Sequence, residues 1–385
     1  MNATLTIGPR TYTGNDLRTL PADITTLGDT DNERSALAFC RDWLAGVEQF
    51  VISTSGSTGD PKPIVLRREQ MLASALATGE ALDLLAGMSA LVCLPVRYIA
   101  GQMMLVRGLV LGLSITVVEP ASDPLSNLAI DTQFDFTALV PLQLQTLLDG
   151  PRTYHERLNA MHTILVGGAP VNAALEERIQ TLSAPVYHTY GMTETATHIA
   201  LRRLNSPNAS TDFHPLPGVE IDIDPRGCLR IKAPMTLNQW LQTNDLVKLS
   251  APQPPAPSPQ SPPPTFRWLG RWDNVINTGG VKVQIEKVEA AVGSIWRALG
   301  LAERRYFVAG LPDERLGEAV TLVVEGEPMD AGDQTTLQTA LAANLDLYEA
   351  PRQVIYIPTF ATTDTGKIDR RSSLGSKDVP PLADV

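Results

Sequence analysis

The sequence predicts an α/β protein with two domains: a large N-terminal domain with a mainly parallel sheet plus a small antiparallel β unit, then a small α+β C-terminal domain. Three observations carry this. From Val51 to about Tyr190, short apolar runs alternate with turns and helix-like stretches. From Asp212 to Leu249, Gly and Pro become frequent and the apolar runs shorten. From Asn274 to about Arg371 the alternation resumes on a smaller scale, in a chain of 385 residues that has room for two or more domains.

In chain order, the strand-like runs of the first part are Phe50–Ser53, Ala90–Leu94, Ile115–Val118, Thr137–Val140, Thr163–Val166 and Val186–Tyr187. The helical candidates are Arg68–Leu85, Gly101–Leu111, Leu142–Leu148 and Asn172–Leu182. Such alternation gives a parallel sheet covered on both faces, with ligands outside the carboxyl ends of its strands. Val219–Ile223 and Cys228–Ile231, joined by Asp224-Pro225-Arg226-Gly227, read as strands of the small antiparallel unit. Residues 251–264 are more than half proline and can form neither a helix nor a central strand, so they read as an extended, solvated insertion. Phe266–Leu269 follows as a strand. The C-terminal part has helices at Gln284–Gly293 and Asp333–Leu345 and strands at Tyr306–Ala309, Ala319–Val324 and Gln353–Ile357. The expected domains are 1–272 and 273–372, with a disordered tail over 373–385.

Hydrophobic residues make up 43% of the chain and charged residues 19%, an ordinary globular composition. A formal net charge of −11 argues against a general affinity for nucleic acid. A polyanionic ligand then has to be held by backbone N–H groups and a few placed cations. Cys40, Cys93 and Cys228 are far apart, which fits a reducing cytoplasm better than a disulfide framework or zinc cluster. The N-terminus has no apolar core behind a basic start, so no signal peptide is expected. The apolar stretch Met103–Val118 carries Arg107 and is too short to span a bilayer, so no membrane insertion is expected.

The most informative segment is Thr54-Ser55-Gly56-Ser57-Thr58-Gly59-Asp60-Pro61-Lys62. Its glycines let backbone N–H groups close on phosphate oxygens, its hydroxyls add donors, and Lys62 supplies a mobile positive charge. It is not a Walker A loop, because no Gly-Lys-[Ser/Thr] triplet closes it. A flexible hairpin tip is the plain alternative. Further segments follow: Gly167-Gly168-Ala169-Pro170, Tyr190-Gly191-Met192-Thr193-Glu194-Thr195, Thr243-Asn244-Asp245, Gly270-Arg271-Trp272-Asp273, Gly279-Gly280 and Thr365-Gly366-Lys367. Each has a plain reading too. The first is a strand-to-helix turn, Thr193 is a helix N-cap, and Lys367 is a solvated charge.

Taken in order, these segments resemble the adenylate-forming superfamily of acyl-CoA synthetases, nonribosomal adenylation domains and luciferases, from about Val51 to Arg371. The resemblance implies that Thr54, Ser55, Gly56, Ser57, Thr58, Gly59 and Lys62 hold phosphate, with Pro63 where the family has a last Gly. It implies that Gly168, Ala169, Tyr190 and Gly191 border the nucleotide, that Thr193 donates to the α-phosphate, and that Glu194 is the Mg²⁺ ligand. Asp245 would accept from both ribose hydroxyls, although Asn244 replaces the family's Gly and alters the turn. Arg271 would lie on the ribose side and Asp273 at the hinge of a mobile C-terminal domain. Gly279 and Gly280 would belong to the loop that meets pantetheine. Lys367 would bridge the substrate carboxylate and the α-phosphate, where a cation between two anions stabilises the transition state.

Within the superfamily, the compact build most resembles the o-succinylbenzoate–CoA ligases of menaquinone biosynthesis. Only the stretch before Val51 precedes the phosphate loop, where typical members carry an extra subdomain, so the N-terminal subdomain reads as shortened. The segment Leu94-Pro95-Val96-Arg97-Tyr98-Ile99-Ala100-Gly101 resembles that family's Leu-Pro-x-x-His-x-x-Gly, with Tyr98 in place of His. Arg107 then matches the arginine on the next helix, and the resemblance implies that it pairs with a second carboxylate of the acid. Arg97 is an alternative anchor, and Gly167 would border the acid. An exposed arginine on the polar side of a helix is the plain alternative for Arg107.

The implied enzyme uses ATP, Mg²⁺ and coenzyme A to turn a small carboxylic acid into an acyl-adenylate and then a thioester. Another aryl- or acyl-CoA ligase, or an adenylation enzyme loading a carrier protein, competes with this reading. So does a non-catalytic nucleotide- or acyl-adenylate-binding protein. The sequence is compatible with a homodimer.

Overall fold

The computed structural model describes residues 3–53, 63–250, 264–362 and 368–375. They fall into two compact units: residues 1–222, 230–241 and 249–267 make the first, and 223–229, 242–248 and 268–385 the second.

The first unit contains β1 (Thr4–Ile7), β2 (Arg10–Thr13), α1 (Gly14–Arg18), α2 (Asp31–Leu44), β3 (Gln49–Ser53), β4 (Pro63–Arg67), α3 (Arg68–Ala81), β5 (Ser89–Val92) and α4 (Ile99–Leu111). It continues with β6 (Ser114–Val117), β7 (Phe136–Leu139), α5 (Pro141–Asp149), α6 (Arg152–Asn159), β8 (Thr163–Val166), α7 (Ala173–Ile179), β9 (Val186–Gly191), β10 (His198–Arg203) and β11 (His214–Pro215). The main sheet has the order β11-β10-β9-β8-β7-β5-β6-β1-β2. Its centre is parallel, and β2 and β10 close it antiparallel on β1 and β9. Helices cover both faces, as the alternating pattern requires. Ile164, Val166 and Val186 face α5 to α7 in one core with Leu144, Leu158 and Leu175. On the other face α4 lies so close that a Cβ at Gly108 would collide with Ile115 of β6.

Helix α4 stops at Gly112, whose φ of +76° suits a glycine cap. Helix α3 ends at Ala81, short of the expected Leu85, because Leu82 leaves helical geometry and Asp83 turns left-handed at φ +50°. Pro141 starts α5 in its first turn, where proline lacks no needed N–H.

Next come β12 (Glu220–Ile223), β13 (Cys228–Lys232), β14 (Leu241–Ser250) and β15 (Thr265–Arg271), a four-stranded sheet in chain order. The proline-rich stretch therefore joins neighbouring strands; residues 251–263 lie outside the described residues. Thr243-Asn244-Asp245, expected as a turn, is part of β14, since the strand continues through it.

The second unit adds β16 (Val275–Thr278), β17 (Val281–Gln284), α8 (Ile285–Ala298), β18 (Tyr306–Asp313), β19 (Gly317–Glu325), α9 (Ala331–Asn344), β20 (Gln353–Ile357) and α10 (Arg370–Leu374). Its sheet runs β17-β16-β19-β18, with β20 parallel to β19. The apolar faces of α8 and α9, including Val288, Val292, Trp296, Leu337 and Leu341, cover Val308, Leu322 and Val324. Ser373 and Leu374, assigned to a disordered tail by the sequence, are helical instead. Asp369 caps that helix through Ser372, and Ser373 is buried with its hydroxyl on the Ala361 N–H. Among the described residues no helix is long and apolar enough to cross a membrane.

Candidate active site

In the first unit the motif residues gather at the carboxyl ends of β8 and β9. Gly167 follows β8, and a Cβ there would run into Thr189 Oγ1 of β9. Gly168 has φ +81°, a conformation glycine adopts without strain. Half-buried His188 of β9 lies by the Ala169 backbone, and desolvation, with Arg202 nearby, pushes its pKa down to about 4. Tyr190 packs edge-on to Phe266 at 5.1 Å and beside Phe213 at 5.8 Å. Gly191 ends β9 where the chain returns so tightly that a Cβ would meet the Thr197 carbonyl.

Between β9 and β10, residues 193–195 form one 3₁₀ turn, with Glu194 exposed. The N-cap is Met192, which corrects the reading of Thr193 as a cap. The capping hydroxyl is that of Thr195, fully buried, which accepts from the Met192 N–H at 3.1 Å and lies 2.6 Å from the Thr197 carbonyl. Ala196 follows with φ +61°, costly for a residue with a Cβ, so the turn is held by its surroundings. Among the described residues no three His, Cys, Asp or Glu side chains cluster as a metal cage.

Arg107 is not the exposed arginine of the plain alternative. It is 2% exposed, on the inner face of α4. Its Nη2 donates to Thr197 Oγ1 at 2.9 Å, its Nη1 reaches only Met104 Sδ at 3.8 Å, and its Nε has no partner among the described residues. Burial pushes its pKa down to about 9, so it remains a cation at neutral pH. Next to it, His198 is held neutral, its pKa well below the usual imidazole range through burial and the Arg107 charge. A buried guanidinium without a carboxylate is unusual, since buried charges are normally paired. Tyr98 is the residue before α4, with the Arg97 guanidinium over its ring at 4.8 Å, and Arg97 is exposed.

In the second unit, Asp245 accepts from Trp268 Nε1 at 3.2 Å. Arg271 grips Asp273 in a fork, 2.8 Å on each side, and Asn244 Nδ2 adds a bond to Asp273 at 3.2 Å. The Arg271 bonds hold the Asp273 carboxyl below its usual range. Arg271 therefore already has an anionic partner, which Arg107 lacks among the described residues. Gly279 and Gly280 are the two loop residues of the β16–β17 hairpin, with φ of +58° and +81°, the left-handed pair that a tight primed turn demands.

Thr54, Ser55, Gly56, Ser57, Thr58, Gly59, Lys62 and Lys367 lie outside the described residues. The strands β3 and β4 on either side of the first segment pair from Gln49↔Arg67 to Ser53↔Pro63. Thr362 and Ile368 pair as a bridge on either side of the second. Sequence reading missed the roles of Thr195, whose hydroxyl bonds within its own turn, and of Thr197 and Ser74, which meet across the fold and leave no local pattern.

A family model described as AMP-binding enzyme matches residues 49–231. The crystal structure of an acyl-CoA synthetase (AMP-forming)/AMP-acid ligase II-like protein from Dyadobacter fermentans is 40% identical, covering 94% of this chain and 97% of that one, with a TM-score of 0.60. The chain belongs to the AMP-binding enzyme family. Another relative of this AMP-binding enzyme is the probable 2-succinylbenzoate–CoA ligase of Mycobacterium tuberculosis, 29% identical over 83% of this chain and 82% of the relative. O-succinylbenzoate coenzyme A synthetase from Bacillus subtilis, solved with ATP and magnesium ion, has the same fold at 21% identity, with a TM-score of 0.64 over 83% of this chain and 68% of that one.

Proposed function

We propose that this AMP-binding enzyme is an ATP-dependent acid–thiol ligase whose acid carries a second carboxylate, and that the acid is 2-succinylbenzoate. The observation that carries the reading is the buried Arg107 guanidinium, which has no carboxylate partner among the described residues. A fork of N–H donors in a dry environment is matched by a carboxylate brought in by the substrate. The relative from M. tuberculosis, named a probable 2-succinylbenzoate–CoA ligase, supports that choice of acid.

In the first half-reaction one oxygen of the acid's other carboxylate attacks the α-phosphorus of ATP, and pyrophosphate leaves. The Thr193 hydroxyl donates to the α-phosphate, Lys367 stands between the two approaching anions, and residues 54–59 with Lys62 hold the leaving phosphates. Magnesium, when bound at Glu194, neutralises phosphate charge. Asp245 and Arg271 hold the ribose side, and Gly167, Gly168, Ala169, Tyr190 and Gly191 give the base and acid room. In the second half-reaction the coenzyme A sulfur attacks the acyl carbon, its proton passes to solvent and AMP leaves. Gly279 and Gly280 give the pantetheine arm a side-chain-free path, and rotation about Asp273 separates the two half-reactions. Tyr98 borders the acid, and Arg97 is the second candidate anchor for its distal carboxylate.

The test is a panel of acids incubated with ATP, Mg²⁺ and coenzyme A, with thioesters read by mass spectrometry. 2-Succinylbenzoate should give its mono-thioester at a rate at least tenfold above benzoate or a fatty acid. Faster conversion of a monocarboxylic acid would overturn the assignment of the substrate.

A further inference from the structure

Arg107 does not hold itself in place. Its Nη2 donates to Thr197 Oγ1, and a guanidinium can only donate, so the threonine hydroxyl is the acceptor. That hydroxyl also bonds Ser74 Oγ at 2.8 Å, and Ser74 is fully buried on α3. One helical turn on, Thr78 donates to the Ser74 carbonyl at 2.8 Å and meets His198 Nε2 at 3.1 Å. One turn back, Gln70 donates to the Met235 carbonyl at 2.7 Å. Residues 70, 74 and 78 thus form a buried polar stripe at i, i+4 and i+8 along α3. No member of this network is a carboxylate. It orients the guanidinium without quenching its charge, and a carboxylate in the same place would occupy the fork.

We propose that Thr197, backed by Ser74, is a positioning residue that holds Arg107 in the orientation that receives the distal carboxylate of the acid. This rests on the reading of Arg107 given above. Thr197 belongs to the same tight turn as Thr193 and Glu194, because Thr195 Oγ1 donates to the Thr197 carbonyl. Removal of its hydroxyl takes away the oxygen that, among the described residues, fixes the guanidinium, while Thr195 still accepts from the Met192 N–H.

The experiment measures KM and kcat of thioester formation for 2-succinylbenzoate and ATP in the whole chain and in Thr197→Val, Thr197→Ser, Ser74→Ala and Arg107→Leu. Thr197→Val should raise the KM for the diacid at least tenfold while the KM for ATP and the kcat at saturation stay within about threefold. Thr197→Ser should restore the diacid KM, and Ser74→Ala should give a smaller rise of the same kind. A purely structural role would instead lower the melting temperature and change all the constants together, which overturns the proposal. If Thr197→Val does not fold, Ser74→Ala carries the test by the same split between constants. An Arg107→Leu effect on the diacid KM with none from Thr197→Val defeats this proposal alone. No effect from Arg107→Leu defeats the reading beneath it as well.

Discussion

Half-buried His188 and buried His198 give the first unit a pH sensitivity with a defined sign. Both pKa values are lowered in the fold, to about 4 for His188, by burial first and then by a neighbouring arginine, Arg202 and Arg107 respectively. In the unfolded chain each imidazole takes a proton near pH 6.5. Below that value the unfolded state binds more protons than the folded one, so stability is complete above 6.5 and is lost as pH falls toward the folded values. The slope is up to about 1.4 kcal/mol per pH unit for each histidine. Urea unfolding followed between pH 7.5 and 5 should show the midpoint falling with pH, and His198→Gln should roughly halve the slope. An unchanged slope in that variant would mean that His198 is protonated in the fold. Little of this was legible at the residue scale. The importance of Arg107 could be read from a charge inside an apolar stretch, but Ser74 and Thr197 are 123 positions apart and only the fold joins them.

Among the elements, the short α10 tests how the end of the second unit is held. Glu289 of α8 is largely buried, and burial raises its pKa against the opposing pull of Arg370. It accepts from Arg370 at 3.0 Å and from the Val308 N–H at 2.8 Å. Arg370→Ala leaves that carboxylate without its cation and should cost about 1–2 kcal/mol, a figure reduced because the arginine side chain is 39% exposed. Adding Glu289→Gln should recover much of the loss in a denaturation series. If the double variant is no more stable than the single one, the pair is not what α10 contributes. The elements that sequence reading located were those with a strong period and clear punctuation. Strand β8 is a run of four residues, all buried, and α4 ends on a glycine. Those it missed lack such a signal. Strand β10 begins with His198 and ends in two arginines, α6 is almost wholly polar, and β1 and β2 are four residues each. In β14 the turn-forming residues Asn244 and Asp245 masked a ten-residue strand, because tertiary pairing outweighs local turn preference. The helical end at Ser373 was hidden by a polar sequence whose order comes from the Asp369 cap, the Arg370–Glu289 pair and the buried Ser373 hydroxyl.

For the molecule as a whole, a net charge of −11 and polyanionic substrates pull in opposite directions. Long-range attraction cannot gather ATP and a dicarboxylic acid here, so recognition falls to local donors and a few unquenched cations. The proposed role of Arg107 accords with this, since among the described residues it is set among hydroxyls and a neutral histidine rather than carboxylates. The fold class was legible because alternating strands and helices admit few architectures, and the order of the motifs pointed to the family before any contact was known. The proposed chemistry requires that the acid be activated on the α-phosphate of ATP before any thiol takes part. Exchange of labelled pyrophosphate into ATP, measured with Mg²⁺ and 2-succinylbenzoate but without coenzyme A, tests it most directly. Exchange should depend on the acid and disappear in Lys367→Ala. Exchange absent from the unaltered chain, or undiminished in that variant, would contradict it.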